Sequence, residues 1–77
     1  MQFEIGKTYK ALHSHDSTLF VLLTVKSRGK KFLTVETENG PQRLMYESDT
    51  MDGHEICDGP KGYRLVSAAY GLVEDRV

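Results

Sequence analysis

Leu19-Phe20-Val21-Leu22-Leu23-Thr24-Val25-Lys26, Lys31-Phe32-Leu33-Thr34-Val35-Glu36-Thr37 and Gln42-Arg43-Leu44-Met45-Tyr46-Glu47 are three strand-like runs separated by two turn signals. In the first, Leu19, Val21, Leu23 and Val25 share one face, and Phe20, Leu22, Thr24 and Lys26 the other. Both faces are apolar at the start and only one is apolar at the end, which predicts a strand buried twice where it begins and solvated where it leaves. The second run alternates Leu33, Val35 and Thr37 with Phe32, Thr34 and Glu36. The third sets Leu44 and Tyr46 against Arg43, Met45 and Glu47. Between the first two lies a hairpin from Lys26 to Lys31. Between the second and third, Asn39-Gly40 predicts a type I′ turn, in which both residues take φ > 0. The three runs form an antiparallel meander.

Outward from the meander, Ile5 to Leu12 alternates with Lys7, Tyr9 and Ala11 on one face and reads as a further strand. His13 to Ser17 is a polar loop. Ser48 to Gly53 is a turn-rich connection, His54 to Cys57 a short strand, Asp58 to Gly62 a tight turn, and Tyr63 to Ala68 a closing strand. The tail from Ala69 to Val77 is expected to fray. No window shows a 3.6-residue period, and turn signals recur throughout. Seventy-seven residues are too few for two full sheets. The expected fold is therefore all-β: a single domain over residues 1–77, built as a five- to six-stranded SH3-like barrel around the meander.

Composition narrows the function. A single cysteine, Cys57, excludes an internal disulfide and a cysteine-rich zinc site. A small chain without disulfides fits a reducing, cytoplasmic setting. The apolar runs are too short for a membrane span, which needs about 20 residues, and the amino terminus lacks the pattern of a signal peptide. Net charge is −1, but the charges are segregated. Lys26, Arg28, Lys30 and Lys31 crowd the first hairpin. Glu47, Asp49, Asp52, Glu55 and Asp58 fill the stretch from Leu44 to Pro60, which holds no Lys or Arg.

Read as an ordered pattern, the chain resembles a group of small proteins of unknown function encoded mainly on phages and plasmids. The residues concerned are Phe20-Val21, Ser27-Arg28-x-Lys30, Phe32-Leu33-Thr34-Val35, Gly40-x-x-Arg43, Asp52-Gly53-x-Glu55, Pro60-x-Gly62-Tyr63 and Ser67-Ala68. They span about two thirds of the chain, and the closing Arg64-Leu65-Val66 departs from the group's pattern. The resemblance implies a compact β-domain of mobile-element origin and brings no activity with it.

Two binding functions follow. The acidic set, Glu47, Asp49, Asp52, Glu55 and Asp58, suits a surface that meets a basic protein, such as a host enzyme inhibited by a phage or plasmid accessory factor. With five uncompensated carboxylates present, this is the preferred expectation. The alternative is nucleic-acid binding through Lys26, Arg28, Lys30 and Lys31, with Phe20 and Phe32 as stacking surfaces. His13, His15 and His54 are weak candidates for a metal, because nothing in the sequence brings His54 to the other two; no cofactor is expected. Cys57 has no neighbouring cation to activate it and is expected to be a buried, inert thiol. With no oxyanion-hole stretch and too short a chain to enclose a substrate, no enzyme is expected. Tyr70, Leu72 and Val73 form an apolar group that a partner or a second copy of the chain is able to cover.

Overall fold

A computed structural model describes residues 2–48, 50–51 and 53–73. The meander forms as expected: β2 (Phe20–Arg28), β3 (Phe32–Thr37) and β4 (Gly40–Glu47). It is extended on one side by β1 (Thr8–Leu12) and β7 (Leu72–Val73), and on the other by β5 (Ile56–Cys57) and β6 (Val66–Ser67). All neighbours are antiparallel, in the order β6-β5-β4-β3-β2-β1-β7. The edge of β1 is shared between two partners. Thr8 and Tyr9 pair with β7, while the Leu12 carbonyl accepts the Arg64 N–H and His13 bridges Tyr63. The chain entering β6 thereby meets β1, and the sheet curls into a nearly closed barrel with few open edges.

The expected all-β barrel is present, with seven strands among the described residues rather than five or six. The difference lies in two-residue strands. Leu72 and Val73, placed in the fraying tail by sequence, pair with β1 instead. Gly71 makes this possible: a Cβ there would lie 2.8 Å from a Val66 methyl and 2.9 Å from the Ser67 carbonyl, so the chain crosses β6 where only glycine fits. Residues 74–77 lie outside the described residues.

Burial follows the two-residue period. Tyr9, Ala11, Val21, Leu23, Val25, Leu33, Val35 and Leu44 point inward and are buried, joined by Cys57, Val66 and Ala68. Phe3, which no strand pattern flagged, is 2% exposed and packs edge-on against Tyr9 at 4.8 Å. The expectation that β2 is buried on both faces at its start is not met, since Phe20 and Leu22 remain open on the outer face. The Asn39-Gly40 turn also differs from type I′. Asn39 does not take positive φ; Gly40 alone does (φ 104°), and it pairs with Thr37 in the ladder. The Thr37 hydroxyl accepts the Asn39 N–H and donates to the Gly40 carbonyl, so a threonine side chain closes the turn. Among the described residues no helix is long and apolar enough to cross a membrane.

Candidate nucleic-acid interface

The hairpin expected at Lys26 does not begin there. The β2–β3 register shifts between Val25 and Ser27: Val25 faces Val35, Ser27 faces Thr34, and Arg28 faces the buried Leu33. Lys26 is the extra residue of a β-bulge, which delays the alternation by one. Uninterrupted alternation from buried Val25 would send Arg28 outward with Lys26. The bulge turns it inward.

There Arg28 meets Glu55. Its Nη1 and Nη2 donate to Glu55 Oε1 and Oε2 at 2.7 and 2.8 Å, a bidentate pair. Glu55 Oε1 also accepts the Phe3 N–H at 2.8 Å, and Arg28 Nη1 donates to the Phe3 carbonyl. Both polar groups of the Phe3 backbone are thus held by one ion pair. Arg28 further lies over the Tyr46 ring at 5.2 Å, while the Tyr46 hydroxyl donates to the Gly29 carbonyl. Glu55 is 2% exposed. Hydrogen bonding from Arg28 holds its carboxyl below the usual glutamate range against the opposing effect of burial, and the same bond raises the Arg28 guanidinium.

This pairing removes one member from each set expected at the surface. Glu55 does not belong to an acidic surface, because its carboxylate is consumed inside the barrel. Arg28 is a partly buried structural cation rather than a free one. Of the other carboxylates, Asp49 and Asp52 lie outside the described residues. Glu47 and Asp58 are exposed and line a small depression with Met45, Ile56 and Leu65.

The basic set, having lost Arg28 to this pair, gains Arg43. Ser27, Arg28, Gly29, Lys30, Lys31, Phe32, Thr34 and Arg43 line an open cleft of about 470 Å³. Its lining holds Arg28, Lys30, Lys31 and Arg43 and no carboxylate. Lys30 and Lys31 are exposed at the tip. Arg43, absent from the candidates read by sequence, sits opposite Thr34, and its guanidinium lies over the Phe32 ring at 4.5 Å. The signal that places it was present: a short Glu38–Asn39 connection fixes the β3–β4 register, and that register puts residue 43 diagonal to residue 32. Lys26 is exposed on the outer face of β2. A third cation–ring pair, Lys10 over Phe20 at 4.7 Å, occupies the outer face at the other end of β2. A larger depression, about 690 Å³, is walled only by residues 58–65 and is the hollow of one tight turn.

The histidines do not converge. His13 Nδ1 accepts the His15 N–H, and the His13 ring stands edge-on to Tyr63. His54 packs instead against Tyr70, at 5.8 Å. Among the described residues no three His, Cys, Asp or Glu side chains are grouped to hold a metal. Cys57 is buried, and desolvation, with a smaller contribution from Asp58, pushes its thiol up to about 12. Tyr70 is 83% exposed, whereas Leu72 packs against the core and leaves the apolar group expected there. Comparison with protein-family models, curated proteins and solved structures finds no match.

Proposed function

We propose that this protein is a non-catalytic module that binds nucleic acid through the cleft between the β2–β3 hairpin and β4. The observation that carries the reading is a lining of cations around an aromatic ring with no carboxylate among them. A net charge of −1 does not oppose it. Charges act over a Debye length of about 8 Å at physiological salt, and the Arg28–Glu55 pair is neutral as a unit, so Lys30, Lys31 and Arg43 supply the positive charge of the cleft. The same pairing takes Glu55 from the acidic protein-binding surface preferred from sequence and Arg28 from the basic set, where Arg43 stands in its place.

Fluorescence anisotropy with labelled DNA and RNA, titrated at several salt concentrations, tests the reading. Binding is expected to weaken steeply with salt, and Lys30→Ala/Lys31→Ala is expected to reduce the log–log slope by about 2. Absent or salt-independent binding overturns it.

A second reading keeps a specific observation behind it. Glu47 and Asp58 flank Ile56 and the exposed Leu65, which suits contact with a basic protein. A cytoplasmic accessory factor of phage or plasmid origin accommodates either reading.

A further inference from the structure

Phe32, Met45 and Leu65 fall in one row across the outer face of the sheet. Phe32 lies opposite Met45, the Asp58 N–H donates to the Met45 carbonyl, and Asp58 continues the ladder in which Cys57 faces Val66. Charge changes sign along this row. On the Phe32 side stand Lys30, Lys31 and Arg43; beyond Met45 stands Asp58, and Glu47 lies two residues along β4 from Met45, level with the Lys30–Lys31 tip. Phe32 is half-buried on the cleft floor with Arg43 over it, and the hydroxyl residues Ser27 and Thr34 complete that floor towards Lys26.

We propose that the cleft takes an unpaired stretch of nucleic acid, with one base on the Phe32–Arg43 pair and its flanking phosphates on Lys30 and Lys31. This rests on the nucleic-acid reading above and names the form of ligand. Two features select it. The exposed Arg43 guanidinium, backed by the Phe32 ring, offers its face to a base only when that base is out of its duplex stack. A base paired inside a helix leaves Phe32 without use. The second feature is the charge boundary at Met45. One phosphate backbone fits along the Lys30, Lys31 and Arg43 side. A second backbone lying beside it passes over Asp58, with Glu47 at its tip end, and both carboxylates repel it. The strand therefore runs from the Phe32 floor past Thr34 and Ser27 towards Lys26, away from β5 and β6.

The test compares an oligothymidine, an oligouridine of equal length and a duplex of equal length by anisotropy at one salt concentration. Both single strands are expected to bind more tightly than the duplex. Phe32→Leu, checked for folding by thermal unfolding, is expected to weaken single-strand binding about tenfold and to collapse the preference over duplex. Arg43→Lys keeps the charge and loses the plane, so it is expected to reduce that preference while leaving the salt slope unchanged. The chain has no tryptophan. Phe32→Trp therefore supplies a sole indole, whose emission is expected to be quenched by the single strands and not by duplex. Equal affinity for duplex and single strands, with Phe32→Leu affecting neither, overturns the single-strand inference. If Lys30→Glu/Lys31→Glu still abolishes binding in that case, the nucleic-acid reading survives. Failure of all three ligands to bind removes both.

Discussion

Arg28 and Lys30 are two residues apart, carry the same charge, and do opposite work. Arg28 turns into the barrel, where it holds Glu55 and the Phe3 backbone. Lys30 stays in solvent at the rim of the cleft. The inner side of this hairpin is a fastening and the outer side the proposed binding surface. What separates them is one extra residue in β2, since the bulge at Lys26 decides which side chain enters. The side-chain chemistry fits the placement: a planar guanidinium matches a carboxylate bidentately, while a flexible, strongly hydrated ammonium suits the wet rim. Charge density along a sequence therefore overstates a surface whenever a bulge or turn draws one of its members inside.

The comparison breaks most visibly at Glu55. Glu55→Ala leaves Arg28 and the Phe3 N–H without their acceptor, and removing one partner of a buried pair costs about 3–5 kcal/mol. A core this small supplies roughly 3–5 kcal/mol in all. Glu55→Ala is therefore expected to be largely unfolded in circular dichroism and denaturant titration. Replacing both partners, Arg28→Met/Glu55→Met, is expected to restore much of the loss, because no uncompensated charge remains. A double variant no more stable than Glu55→Ala alone removes the claim that the pair acts as one unit.

A smaller effect comes from pH. The folded-state value of Glu55 is lowered, so the unfolded chain takes up the proton more readily. The stabilisation from this group is fully present above the ordinary glutamate value of 4.5 and is lost as pH falls below it, through the lowered folded value. Urea midpoints measured from pH 7 down to pH 3 are expected to drop across that window. In Arg28→Met/Glu55→Met the part of the drop due to Glu55 disappears.

The smallest expected change sharpens the contrast from the other side. Lys30→Ala and Lys31→Ala, each exposed, are expected to shift unfolding free energy by no more than about 0.5 kcal/mol. Larger destabilisation in chemical denaturation would mean that the tip is part of the fastening and not only of the proposed binding surface.

The sequence by itself determined the strands of the meander, the inward faces of Val21, Leu23, Val25, Leu33, Val35 and Leu44, and the buried setting of Cys57. These follow from local rules: a two-residue period, turn residues at fixed places, and an apolar setting for a thiol. Tertiary structure alone decided the bulge, because nothing in Val25-Lys26-Ser27-Arg28 marks which residue is unpaired. It decided the meeting of Arg28 and Glu55, 27 positions apart, and the clamping of Phe3, which belongs to no strand. It also decided the capture of Leu72 and Val73 by β1, and the Arg43–Phe32 pair that turns a charged hairpin into a cleft. Each of these is a contact between segments whose own patterns are weak or interrupted. Such contacts form only where closing the barrel brings the segments together and leaves buried polar groups that must find partners.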